Sequence, residues 1–394
     1  MTASFKTYVS KDGNGWTDNA SLGYSFWKRY LNTYNEIYIF SRSKYISVIS
    51  DDFVKITGEG IKILPCPYFS GPWQFAKLYL KIRKNVKDIL NNFDSCAIQL
   101  RLPCPIGYAV FKRIKNKRPY GVEVVGDPWD VFSAGSVRHI LRPFLKVYFT
   151  YLQKRACENA AAALYVTKNV LQNRYPCPNG MLSASSINLC DNEISNRPRQ
   201  IEKHSPMNII YVGSMSQLYK APDILLKAFQ ICVKEGKNLH LTMLGDGKYR
   251  PKLEKLAGKL GISERVSFLG MVPKEEVFKR LDESDLFVLP SKTEGLPRAM
   301  IEAMARGLPC IGTTVGGIPE LLPPEDLVPP GDVKALAAKI MEVINDSERM
   351  AKMSERNLAK AKEYKEDILQ REREAFYSLV KERTEEWIMR NKGN

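Results

Sequence analysis

The sequence predicts an α/β protein of two successive doubly wound domains, each built on a mainly parallel sheet. Three observations carry that expectation. At 394 residues the chain is long for one hydrophobic core. Short β-like runs alternate twice over with helix-length amphipathic stretches, the pattern of crossover connections between parallel strands. A polar stretch from Asn196 to Met207, broken by Pro198 and Pro206, divides the two series.

The first series opens with a strand over Phe5–Val9 and a glycine-rich loop, Gly13-Asn14-Gly15. It continues through a helix near Tyr24–Tyr34, then strands at Glu36–Phe40 and Ile61–Leu64, a long helix over Trp73–Asn91, and a strand at Ser95–Leu100. A helix near Gly107–Asn116 and a strongly β-like Tyr120–Val125 complete it. The second series begins with the strand Asn208–Val212 and the helix Ala221–Glu235, and it runs to a helix at Val333–Asn345. The charged stretch from Ser347 to Met389 reads as helix and is too long for one compact layer. The expected division is therefore an N-terminal domain over 1–205, a second over 206–362, and a C-terminal helix over 363–394 that crosses back to the first.

Composition removes several function classes. No window holds the ~18 charge-free apolar residues of a membrane span, and the first residues lack an export leader. This points to the cytoplasm. The eight cysteines form no C-x-x-C pair and the three histidines do not cluster with them, so neither a disulfide framework nor a structural metal is expected. Residues 1–200 carry 28 Lys and Arg against 14 Asp and Glu, most of the chain's net charge of +16. A basic half calls for an anionic partner. Without a zinc-finger, RNP-like or helix-turn-helix pattern, nucleic acid is not the expected one. Apolar residues such as Trp73 and Leu80 interleave with Lys77, Lys81, Arg83, Lys84 and Lys87, and Phe144 and Val147 with Arg142, Lys146, Lys154 and Arg155. These read either as domain helices with a buried face or as surfaces lying on an anionic leaflet.

The sharpest chemical signal is Glu294-Gly295-Leu296-Pro297-Arg298-Ala299-Met300-Ile301-Glu302, which follows a strand over Leu286–Pro290 and opens a helix. The first turn of such a helix presents amide donors and a positive dipole end to an anion. Glu294 precedes the helix and Glu302 lies about two turns deeper, so the two cannot form one dyad. Each suits hydrogen bonding to a polyol. Two further glycine turns, around Gly307 and at Gly316-Gly317, follow.

The run TEGLPRAMIEAMARGLPCIGTTVGGIPELL, Thr293–Leu322, resembles the E-x7-E region of glycosyltransferase family 4. It stands at the expected distance after Tyr211-Val212-Gly213 and Leu244-Gly245-Asp246-Gly247. The resemblance spans 208–345. It implies the GT-B architecture, two Rossmann-like domains facing a central cleft, and a retaining hexosyl transfer from a nucleotide-diphosphate sugar without a metal. Lys220 matches the lysine such proteins offer to the donor phosphates, beside Gly213, Gly245 and the turn Gly295, Leu296, Pro297 and Arg298. Glu294 is implied to position the sugar and Glu302 the ribose. Gly15 matches the N-terminal glycine loop.

Two departures stand out. Ser214 occupies the place of an arginine usual in the family. Where many members carry a histidine facing the reacting centre, the strand end reads Gly126-Asp127, so Asp127 is the substitute expected to touch the acceptor or the sugar, with a cap or Asx turn as its plain alternative. His139 is the one histidine near that turn, in a basic stretch where a surface or packing role is the simpler reading. The text GVEVVGDPWDVFS resembles bacterial polysaccharide-type transferases, which implies a glycan or polyisoprenoid-linked acceptor and a place on the inner face of the membrane. A sugar-nucleotide epimerase of the same fold and a non-catalytic nucleotide-sugar-binding subunit are the alternatives.

Overall fold

The computed structural model describes residues 1–19, 22–133, 140–202 and 204–392. The chain forms two compact units. The first comprises Met1–Pro128, Val147–Ala184 and the chain from Gln370 onward; the second comprises Trp129–Lys146 and Ser185–Leu369.

The first unit is built on a sheet of nine described strands. Thr2–Val9 pairs in parallel with Ile37–Tyr45, which pairs with Ile61–Pro67. On the other side Gln99–Leu102, Gly121–Val124, Ala162–Tyr165 and Met181–Ser183 follow in parallel order. The expected parallel character holds except at one corner, where Gly15–Thr17 folds back antiparallel on Thr2–Val9 and is itself flanked by Val54–Lys55. The short strands Ala162–Tyr165 and Met181–Ser183 carry little sequence signal, being four and three residues long. Val122, Val124, Ala162 and Ala163 are fully buried, as befits strands covered on both faces by crossover helices.

The last part of the chain belongs to this core. In the helix Glu366–Lys392, Phe376, Tyr377 and Val380 are buried. The Tyr377 ring stacks on Tyr30 at 4.6 Å, and Arg118 stands over Trp387 at 5.5 Å.

The second unit contains a six-stranded, all-parallel sheet in the order Val266–Gly270, Leu239–Leu244, Met207–Val212, Leu286–Val288, Cys310–Thr313, Leu327–Val328. Numbered within the unit this is 3-2-1-4-5-6, the doubly wound order whose direction reverses between its first and fourth strands. Ile209, Ile210, Leu286 and Phe287 at that junction are wholly buried.

Sequence reasoning put the division near residue 205, whereas residues 185–205 pack with the second unit. Their polar, proline-broken text resembles a linker, but hydrogen bonds hold it down. The Arg199 guanidinium donates to the carbonyls of Leu281 at 2.7 Å and Arg306 at 2.8 Å, and its amide donates to Ser354 Oγ at 2.9 Å. The charged helical stretch from Ser347 divides into Ser347–Ala361 and Glu366–Lys392 with a 3-10 turn between them, so a separate last helix begins close to the expected residue 363.

Candidate active site

The strand order of the second unit places its crevice beyond the carboxyl ends of Met207–Val212 and Leu286–Val288. Both ends carry the residues singled out by sequence. Gly213 follows the first strand, its amide bonded to Leu244 O at 2.9 Å. Gly245 lies across from it with φ +120, and a Cβ there would stand 2.1 Å from Gly213 O. Only glycine tolerates both the backbone angle and that approach. Asp246 O accepts from the Met215 amide at 2.8 Å, so the Gly213–Met215 and Gly245–Gly247 loops are laced together.

Lys220 ends a 3-10 turn, Leu218–Lys220, and Ala221 behind it adopts left-handed φ +51 before the helix Pro222–Lys234. This sharp reversal delivers the lysine to the end of the fourth strand. There its ammonium donates to Glu294 Oε1 at 2.8 Å, with the two side chains 16% and 8% exposed. Ser291 Oγ donates to the same oxygen at 2.7 Å, and Thr313 Oγ1 holds the Ser291 carbonyl at 2.7 Å. The Lys292 amide bonds Tyr219 O at 2.7 Å, so backbone as well as side chains joins the two loops. Burial works against the Lys220 charge, and the Glu294 carboxylate more than offsets it, holding the ammonium above its ordinary pKa.

The helix runs Arg298–Ala305, with Pro297 as its cap; Pro297 O accepts from Met300 N at 3.2 Å and Ile301 N at 3.3 Å. Pro297 therefore stands one place earlier than the first-turn position its ring suggests. Gly316, φ +52, lets the following loop pass so close that a Cβ would meet Glu294 O at 2.0 Å, and the Gly317 amide bonds Gly295 O at 2.6 Å. Glu302 is half-buried in this helix. Burial raises its pKa above 4.5, with Arg298, Lys274 and Lys220 pulling the other way. Ser214 Oγ accepts from its own loop, from the Ser216 amide at 3.2 Å.

Thus Gly213, Lys220, Gly245, Glu294 and the Gly295–Arg298 turn meet at one strand-end crevice. Gly15 and Asp127 belong to the first unit. Gly15 is the exit of a β-hairpin rather than a strand-to-helix loop: Ser10 N bonds Asn14 O at 3.0 Å, and a Cβ on Gly15 would strike Ile63 at 2.4 Å. Asp127 also differs from expectation. Its carboxylate is 2% exposed, and its two oxygens accept from Arg174 and from the Tyr175 hydroxyl. A buried charge already paired in this way braces the turn and is not presented to an acceptor hydroxyl. His139 lies outside the described residues.

Sequence reasoning missed Ser291, although a hydroxyl three residues before Glu294 is a readable spacing. It also missed Tyr211, whose wholly buried hydroxyl has no partner among the described residues; within an apolar strand a tyrosine reads as packing. Among the described residues no group of three or more His, Cys, Asp or Glu could hold a metal ion.

Residues 193–360 match the family of group 1 glycosyl transferases. Protein CapJ of Staphylococcus aureus is 30% identical over 90% of this chain and 89% of its own length. The chain is a group 1 glycosyltransferase. Amylovoran biosynthesis glycosyltransferase AmsK of Erwinia amylovora is 29% identical to the transferase over 53% of this chain and 52% of that one. The sucrose-phosphate synthase of Thermosynechococcus elongatus matches in structure with a TM-score of 0.70 at 16% identity, covering 96% of this chain and 99% of that one. The transferase has the GT-B fold.

Proposed function

We propose that the enzyme moves a hexose-type sugar, with retention, from a nucleoside diphosphate to a glycan or polyisoprenoid-linked acceptor in envelope or exopolysaccharide biosynthesis. The observation that carries this is the buried Lys220–Glu294 pair at the strand junction, beside the opening turn of the helix Arg298–Ala305. An ammonium has three protons and Glu294 Oε1 takes one, which leaves donors for phosphate oxygens. Lys220, the helix dipole and Arg298 would stabilise the departing diphosphate electrostatically, so the proposed reaction draws on no metal. Glu294 would hold the sugar and Glu302 the ribose diol. The acceptor hydroxyl would attack from the face the leaving group departs, passing its proton to a phosphate oxygen. The similarity to an amylovoran biosynthesis enzyme supports the substrate class, and the basic first half fits work at an anionic membrane surface.

A donor-binding, non-catalytic role is the second reading, favoured by Ser214, whose hydroxyl serves its own loop and supplies no cation. Thermal-shift titration with UDP, GDP, ADP and their sugar conjugates tests the main reading, since a ligand that binds only the folded state raises Tm. One nucleotide series should shift Tm, and Glu302→Ala should abolish the shift. Absence of a shift with every nucleotide would refute donor binding. A shift without sugar transfer or slow donor hydrolysis would favour the second reading.

A further inference from the structure

The first unit holds a cavity of about 320 Å³ among the helices Gly71–Asn92, Pro105–Ile114 and Arg142–Glu158. That volume lies within the usual range for ligand sites. Its walls are the rings of Phe75, Tyr79, Tyr108, Tyr148 and Phe149, and Lys112 stands at its edge. Tyr108 and Phe149 stack at 5.4 Å with planes 29° apart. Phe75 meets Tyr79 at 62°, and Tyr148 meets Phe149 at 65°. The Lys112 ammonium donates to Tyr148 Oη at 2.6 Å and lies 5.9 Å and 5.2 Å from the ring centres of Tyr79 and Tyr148. Among the described residues no carboxylate pairs with it. On the same helices Trp73 and Val147 are each 63% exposed.

These features narrow the occupant. A sugar needs several convergent polar partners, but Tyr108 Oη is committed to Gln153 Oε1 at 2.9 Å. A quaternary ammonium would be repelled by Lys112. Tilted rings offer no flat platform for a base, and they leave steps that a methyl-branched chain fills better than a straight one. An ammonium facing rings and hydroxyls is complementary to an anion. Behind Tyr108, Gln153 Nε2 donates to Gly126 O at 2.9 Å, which ties this wall to the turn beyond the strand Gly121–Val124.

We propose that this cavity receives the first isoprenoid units of a polyisoprenyl-phosphate-linked acceptor, the rings enclosing the chain and Lys112 meeting the phosphate. The assignment rests on the acceptor reading above and gives its lipid a place. Calorimetric titration of the full chain with farnesyl monophosphate tests it. Ala76, exposed on the outer helix and lining the cavity, can be enlarged to fill it. Ala76→Trp should weaken binding at least about tenfold, the loss of several buried methylenes. Lys112→Met should weaken farnesyl monophosphate about tenfold, as for a charged hydrogen bond, and leave farnesol unchanged. Unaltered binding in Ala76→Trp would overturn the proposal, as would dodecyl phosphate or inorganic phosphate binding as tightly as farnesyl phosphate. The nucleotide-induced Tm shift separates the two readings. If Ala76→Trp keeps that shift and loses the lipid, the cavity stands. If nucleotides shift Tm while farnesyl phosphate never binds, this proposal alone falls. Lipid binding sensitive to Ala76→Trp, with no nucleotide shift in any variant, would sustain the cavity and refute the donor reading.

Discussion

Glu302 is half-buried between the cations Arg298, Lys274 and Lys220, and burial nevertheless lifts its pKa above the ordinary 4.5. A carboxyl that holds its proton more tightly when folded favours the folded state at low pH. That contribution fades as pH rises from about 4.5 through the folded value. Glu302→Gln should therefore raise Tm of the ligand-free protein at pH 7, with the gain shrinking towards zero near pH 4; a constant difference across a pH 4–7.5 series would contradict this. A residue retained against its own stability cost fits a ligand-facing role. Lys220 and Glu294 were legible because each sits in a short motif at a strand end. Asp127 was misread because the groups that claim it, Arg174 and Tyr175, come more than forty residues later in the chain. No local pattern announces such a partner.

Among elements, the glycine turns of the second unit decide how closely its loops approach. Gly245→Ala would combine a left-sided backbone angle with a Cβ 2.1 Å from Gly213 O. Where φ is positive the added methyl destabilises by more than the ~0.4–1 kcal/mol it gives at compatible sites. Gly245→Ala should lower Tm and displace Gly213, weakening nucleotide binding, whereas Gly236→Ala, with open space around its site, should leave the nucleotide affinity intact. Retained affinity in Gly245→Ala would show that the loop contact does not shape the crevice. Element type was readable wherever apolar runs were long: the strand Met207–Val212 and the helices Pro222–Lys234 and Val333–Ile344 end within one residue of the expected bounds. The two-residue strands Val54–Lys55 and Leu327–Val328 were not, since nothing in two residues separates a strand from a loop. The hairpin at Gly15 was missed because the same glycines serve a turn between strands and a turn into a helix.

At the scale of the molecule, the first unit draws its core from both ends of the chain. An added Cβ on Gly121 would lie 2.6 Å from Val380 and 2.8 Å from Phe376, so the last helix fills space against a central strand. Phe376, Tyr377 and Val380 are essentially buried, and burying each such side chain stabilises by roughly 1.5–3 kcal/mol. Their joint loss approaches the ~5–15 kcal/mol that holds a typical domain. A chain ending at Leu369 should therefore lose the folded first unit, seen as rapid proteolysis within residues 1–184, and keep a protected second unit; equal protection of both would refute this. The same arrangement has a temporal side. On the ribosome, the first unit waits for its last helix while Ser185–Leu369 of the second unit is made, on the order of ten to forty seconds at ~5–20 residues per second. The strands of Met1–Pro128 are thus made well before the helix that completes their core.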